Sequence, residues 1–160
     1  MGTQDEATFG LIPLITRGWA RKGSHPFVKI NHKNVCTNVF GARSTKSFVY
    51  SFSKKKRQKQ FIQFLDKLRR RWKKYLLFTD NARAHTGAKV RAYLEAHPNV
   101  KLAYFPKCSP EENPTEQCWK PARTALANRV LPSLNAAKYH LKKTFDNPKA
   151  MPKMFKYLRD

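Results

Sequence analysis

Between Tyr75 and Trp119 the chain changes its hydrophobic period in an order that few folds can accommodate. Tyr75-Leu76-Leu77-Phe78-Thr79 is a short apolar run of strand length, and it ends on an acid, Asp80. Gly87 to Ala96 follows as a predicted helix with Val90, Tyr93 and Leu94 inward, and Pro98 stops it. Val100 to Phe105 is the next predicted strand. A helix of crossover length between two strands predicts that they lie parallel in one sheet. The turn-rich segment Pro106 to Pro114 then leads to Glu116 and Trp119. In open α/β sheets chemistry gathers where strands end and helices begin. A carboxylate at a strand's C-terminal end and another on a following helix can therefore converge on one metal site.

Upstream, the pattern is of strands. Three β-rich runs, Phe27 to Ile30, Asn34 to Gly41 and Ser47 to Phe52, are joined by short loops, which predicts antiparallel pairing. Lys54-Lys55-Lys56-Arg57 leads a helix whose Phe61, Phe64, Leu65, Leu68 and Trp72 form one apolar stripe. Its other face carries Lys59, Lys67, Arg69, Arg70, Lys73 and Lys74, with Asp66 the lone acid between Lys54 and Thr79. A solvated helix face usually alternates its signs, so this one is read as facing a polyanion. Downstream of Pro106, Ser109 with Pro110 and Glu112 forms a capping-box pattern, while Asn113 before Pro114 offers a second helix start. Either start puts Glu116 in an early turn, and Glu111 and Glu112 are read as acids favoured by the helix dipole. Helices are expected over Pro121 to Val130, Leu134 to Phe145 and Ala150 to Leu158, the last with Met151, Met154, Phe155 and Leu158 at helical spacing. Periodicity alone yields an α/β or α+β domain with one mixed sheet.

Charge points to the partner. The 160 residues carry 33 Lys+Arg against 10 Asp+Glu, a formal charge of +23, which predicts a polyanionic ligand, nucleic acid first. No apolar run reaches membrane length and no secretory signal is visible. Cys36, Cys108 and Cys118 lack metal-ligand spacing and read as bystander thiols of a reduced intracellular protein. Where acids are so scarce, Asp5, Glu6, Asp80, Glu95, Glu111, Glu112 and Glu116, all inside or between the motif regions, stand out from a random scatter.

Thr79-Asp80-Asn81-Ala82 with His85, then Phe105-Pro106, Ser109-Pro110-Glu111, Asn113-Pro114-Thr115-Glu116 and Trp119, resemble the signature of the DDE transposases of the mariner superfamily. The likeness is closest to the bacterial and archaeal insertion-sequence branch. Gln4-Asp5-Glu6-Ala7-Thr8-Phe9 is similar to that family's first aspartate motif, and Gly18-Trp19 through Gly23 to its GWxxxG segment. Glu112 stands where the family commonly has an apolar residue.

The resemblance implies an RNase H-like mixed sheet flanked by helices, a single domain with residues 1–130 as core and 131–160 as a C-terminal helical extension. It implies a metal-dependent DNA endonuclease and strand transferase whose catalytic, metal-binding carboxylates are Asp5, Asp80 and Glu116. Two Mg²⁺ ions are expected, with Mn²⁺ able to substitute, because hard cations prefer carboxylate and phosphate oxygens. Glu6, Asn81 and His85 are expected beside the site: Asn81 either orients Asp80 or shapes the turn, and His85 either approaches the scissile phosphate or orders the loop. Arg21, Lys22, Lys54, Lys55, Lys56, Arg57, Arg69, Arg70, Lys73 and Lys107 are the candidate DNA contacts, although a solvated turn explains Arg21 and Lys22 equally well. Trp19 is a candidate for packing on the sheet. Only Met1-Gly2-Thr3-Gln4 precede Asp5, where the family has several apolar strand residues and, before them, a helix-turn-helix region. The expected consequences are a clipped or frayed first strand, a recognition domain supplied separately or by fusion, and a choice between a working enzyme and a catalytically inactive DNA-binding remnant. A cellular RNase H or junction nuclease is disfavoured by the segment from Ser109 to Trp119. The expected partners are element ends and target DNA, with a homodimer possible, and the expected location is the cytoplasm with the nucleoid.

Overall fold

The computed structural model describes residues 1–12, 14–27, 29, 33–106 and 113–152. Five strands form one sheet: β1 (Gly2–Gly10), β2 (Cys36–Ser44), β3 (Phe48–Ser53), β4 (Tyr75–Thr79) and β5 (Val100–Tyr104), in the spatial order β3-β2-β1-β4-β5. β1, β2 and β3 pair antiparallel, whereas β4 runs parallel to both β1 and β5. The helices are α1 (Gln58–Trp72), α2 (Arg83–Thr86), α3 (Ala88–Ala96), α4 (Trp119–Leu126) and α5 (Leu134–Phe145), with a 3-10 helix, Pro114–Cys118, leading into α4.

Strand alternation sorts the core into two layers. On one face Phe40, Ala42, Val49, Tyr75 and Leu77 meet the α1 stripe of Phe61, Phe64, Leu65 and Leu68, together with Val90 of α3. On the other, Ala7, Phe9 and Val39 meet Trp119, Ala122 and Leu126 of α4 and Ala137, Leu141 and Phe145 of α5. The two-residue link between α1 and β4 makes them run antiparallel. The basic start of α1 therefore sits at the end of the sheet where β4 stops at Thr79.

Several expectations are corrected. β1 is a full nine-residue strand and not a frayed one, because it continues past Asp5 and pairs with β2 along its whole length, Gly2 opposite Ser44 through Gly10 opposite Cys36. The expected strand at Phe27 to Ile30 is absent from its described residues: Phe27 and Lys29 lie in coil, and Phe27 is exposed. Trp19 is fully exposed and does not pack on the sheet. The helix predicted from Gly87 to Ala96 is preceded by a separate turn, α2, with Gly87 in extended conformation between the two. A Cβ on Gly87 would collide with the Gln58 side chain at 2.0 Å, so α1 and α3 meet closely there. α4 begins at Trp119 and ends at Leu126, four residues before the predicted Val130. The competing helix starts resolve toward Asn113, whose side chain accepts from the Thr115 N–H at 3.1 Å with Pro114 in the first helical position. The capping pattern of Ser109, Pro110 and Glu112, and Glu111, lie outside the described residues, as do Lys107, Cys108 and most of the last predicted helix. The described residues of that predicted helix, Ala150, Met151 and Pro152, lie in turn, bend and coil and not in a helix, and Met151 is buried in the α4–α5 layer.

Candidate functional site

Register places the first two acids. β1 and β4 pair at Gly2 with Leu77 and Thr3 with Phe78, so one and two steps further Gln4 lies level with Thr79 and Asp5 with Asp80. At that level β4 ends and β1 continues. Asp5 and Glu6 are consecutive in a strand and project to opposite faces, which gives them different partners.

Asp5 faces α4. Its Oδ2 accepts a hydrogen bond from Trp119 Nε1 at 2.6 Å, and it shares a cleft of about 460 Å³ with Glu6, Glu116, Trp119, Lys120 and Arg123. Burial pushes its carboxyl up to about 6; the hydrogen bonds from Trp119 and the Glu6 backbone oppose that rise, and the charges of Glu116 and Glu6 add to it. Glu116 reaches this cleft because the segment before it is sewn to β1. Asn113 Nδ2 donates to the Gln4 carbonyl at 2.9 Å, Thr115 Oγ1 donates to the Thr3 carbonyl at 2.9 Å, and the two threonine hydroxyls lie 2.6 Å apart. All three side chains are buried.

Glu6 faces α1 and α2, where its Oε1 lies 2.7 Å from His85 Nε2. The other ring nitrogen, Nδ1, lies 2.6 Å from Asp80 Oδ1. An imidazole bridging two carboxylates through both nitrogens donates from each, which is the cationic form. Burial works against that charge, but the bonds to Asp80 and Glu6 outweigh it and raise His85 to about 9. Asp80 moves the other way: the His85 bond first, then the Ala82 N–H, and the charges of His85 and Lys56 hold its carboxyl below the usual range in spite of burial. Ala82 N donates to Asp80 Oδ1 at 3.0 Å, closing a turn two residues long. Beneath this bridge Thr79 Oγ1 donates to Gln4 Oε1 at 2.5 Å, joining β4 to β1. His85 orders the loop that carries Asp80. Asn81 does not orient that acid; its Nδ2 donates to the Phe105 carbonyl at 3.0 Å, so it shapes the turn.

The structure thus brings Asp5 and Glu116 into one cleft, while Asp80, at the neighbouring strand end, is engaged by His85. Among the described residues no three His, Cys, Asp or Glu side chains are grouped closely enough to form a metal cage. The donor chemistry nevertheless suits a hard divalent ion. The acids offer carboxylate oxygen, and the Asp5 and Glu116 carboxylates line one cleft at the end of β4.

The candidate DNA contacts divide by position. Lys55, Lys56 and Arg57 line a cleft of about 590 Å³ with Lys59, Arg83 and Lys89, and no acid lines it. Its charge reaches Asp80 through Lys56. Lys54 is exposed beside it. Arg83 and Lys89 were missing from the sequence reading, although Arg83 sits inside the Asp80 to His85 motif. Arg69, Arg70 and Lys73 lie at the other end of α1, roughly 20 Å away at 1.5 Å per residue. Arg69 and Arg70 are there tied to Asp66 at 2.8 and 2.6 Å. Arg21 and Lys22 are exposed on the coil between β1 and β2, in a turn that Gly23 completes at φ +80°. No helix among the described residues is long and apolar enough to cross a membrane.

The sequence profile of the DDE superfamily endonucleases matches residues 2–138. No curated protein sequence matches the chain. Among solved structures, the fold is similar to the Mos1 transposase paired-end complex with the left transposon end, at 21% identity and a TM-score of 0.70 over 93% of this chain and 48% of that one. It is similar also to the mariner Mos1 paired-end complex with Mg, at 20% identity and a TM-score of 0.72 over 95% of this chain and 50% of that one. A third likeness is to the catalytic domain of Mos1 mariner transposase, at 17% identity and a TM-score of 0.67 over 93% and 71% of the two chains. The chain spans about half the length of the first two. At these identities the likeness is one of fold, and it meets the expectation of an RNase H-like mixed sheet flanked by helices.

Proposed function

The chain belongs to the DDE superfamily endonucleases, and from that premise we propose that it is the catalytic domain of an insertion-sequence transposase, a single RNase H-like unit that cuts and joins DNA. The observation that carries the reading is the meeting of Asp5 from β1 with Glu116 from the 3-10 helix, next to the strand end that bears Asp80. These three acids would hold the divalent metal, two Mg²⁺ ions with Mn²⁺ as a substitute. When bound, such ions offset charge on phosphate oxygens and lower the pKa of an attacking water.

The chain's own residues do the rest. His85 and the Ala82 N–H hold the Asp80 carboxylate. The cleft of Lys55, Lys56, Arg57, Lys59, Arg83 and Lys89 binds the phosphates of the strand being cut, because its charge extends to Asp80. Hydrolysis breaks a phosphodiester at the element's end and frees a 3′-hydroxyl, which attacks a phosphodiester of target DNA in the joining step. Arg69, Arg70, Lys73, Arg21 and Lys22 serve DNA further from the cut, Lys107 is a further DNA contact, and the place of work is the nucleoid. A recognition domain for the element ends, fused or separate, and a second copy of the chain complete the reaction.

The test is nicking of supercoiled plasmid with Mg²⁺ or Mn²⁺, comparing the chain with Asp80→Ala. Metal-dependent nicking that falls by at least about a hundredfold in the variant, a loss in the range expected when a group acting on the transition state is removed, supports the enzyme. Salt-sensitive DNA binding without nicking identifies an inactive DNA-binding remnant.

A further inference from the structure

Trp119 closes the motif that contains Glu116, and nothing in the proposed chemistry requires an aromatic residue there. As a core side chain it is well provided for: its ring makes edge contacts with Phe9, Phe48 and Phe145 at centroid distances of 6.1, 6.0 and 6.0 Å. Phenylalanine would meet that need. The indole N–H is what phenylalanine lacks, and in a buried setting it requires an acceptor. The acceptor is Asp5 Oδ2 at 2.6 Å, across 114 residues of sequence.

The route of the ring to that carboxylate is prepared by a second residue. Gly41 of β2 is the cross-strand partner of Asp5. A Cβ built there would stand 2.5 Å from Trp119 Cη2 and 2.9 Å from Phe48 Cζ. Glycine opposite Asp5 therefore leaves the space in which the indole lies over the sheet. Trp119 follows the 3-10 helix that bears Glu116, and both line the Asp5 cleft.

We propose that Trp119 is a positioning residue: through its indole N–H it fixes the Asp5 carboxylate toward Glu116, with Gly41 as the gap that admits it. The inference rests on the metal-binding reading of Asp5 and Glu116. One carboxylate oxygen is held by the indole, which fixes the plane of the group and presents the other oxygen to the cleft. Outer partners of this kind orient metal ligands, and their loss typically weakens metal affinity by about 10–100-fold.

The experiment uses the whole chain and Mn²⁺ alone as probe, with binding measured calorimetrically for wild type and Trp119→Phe. The expected result is Mn²⁺ binding about 10–100-fold weaker in the variant, with its melting profile still cooperative. In parallel, ¹⁵N-indole NMR of the wild type follows Trp19, Trp72 and Trp119, and the Trp119 resonance should move as Mg²⁺ is added while Trp72, bonded to Ser47, stays. Should Trp119→Phe fail to fold, the indole resonance decides alone. Affinity of the folded variant equal to wild type, or a Trp119 resonance unmoved at saturating Mg²⁺, overturns the proposal. A wild type that binds no Mn²⁺ refutes the metal reading itself, a distinct failure.

Discussion

Thr115 is fully buried, and its hydroxyl engages two groups of one β1 residue, Thr3, at once. It donates to the Thr3 carbonyl and lies 2.6 Å from the Thr3 hydroxyl, which can then donate back. Its neighbour is Glu116, so this pair sets how far that carboxylate stands from Asp5. Replacing Thr115 by Val keeps the shape and leaves a carbonyl and a hydroxyl of Thr3 without their partner. A buried polar group so stranded costs about 1–3 kcal/mol, and Thr115→Val should lower stability by that amount in urea denaturation. Thr115→Ser, which retains the hydroxyl, should recover most of it. The residue scale was only partly visible in the sequence. Asp80, Glu116 and Asp5 stand in motifs that are contiguous along the chain, and they were legible for that reason. The bond from Trp119 to Asp5 and the bridge from Glu6 through His85 to Asp80 were not, since they depend on which face of β1 each side chain takes and on what lies opposite.

At the scale of elements, the strand–helix–strand order from Tyr75 to Tyr104 was legible because its hydrophobic period changes sharply. The parallel pairing of β4 with β5 follows from the helix between them. The α1 stripe was equally plain, and Phe61, Phe64, Leu65 and Leu68 are all buried as its spacing requires. The few residues before Asp5 do not reveal the length of β1, because pairing with β2 extends the strand on the other side, to Gly10. At Phe27 and Lys29, the described residues of the other expected strand, the chain is coil, so a β-rich composition does not by itself make a strand there. Contact between β2 and α4 is governed by Gly41, which no local pattern marks. Its substitution by Ala places a methyl group against two packed rings, Trp119 and Phe48. Overpacking of this kind costs about 1–3 kcal/mol. Gly41→Ala should therefore show a lower urea midpoint with an unchanged slope, as expected for a variant that alters stability and not compactness.

For the whole molecule, a charge of +23 guarantees attraction to DNA but says nothing about where a strand lies. The structure divides the cations of α1 between two ends of the helix. Lys55, Lys56 and Arg57 open beside Asp80 together with Arg83 and Lys89, while Arg69 and Arg70 are held by Asp66 at the far end. Each phosphate neutralised releases condensed counterions, so the slope of log affinity against log salt counts the contacts, at about 0.9 per phosphate on duplex DNA. Replacing Lys55, Lys56 and Arg57 together by Ala should reduce that slope by about 2–3 and suppress nicking at moderate salt. The same triple exchange of Arg69, Arg70 and Lys73 should reduce the slope less, because two of its members already have an internal counter-charge, and should leave the nicking rate of bound DNA nearly unchanged. Binding measured across a salt series separates the two cases. An equal loss of slope from both ends would mean that DNA runs the length of α1, and the phosphates next to the cut would then have to be assigned to other residues than the cleft at its start.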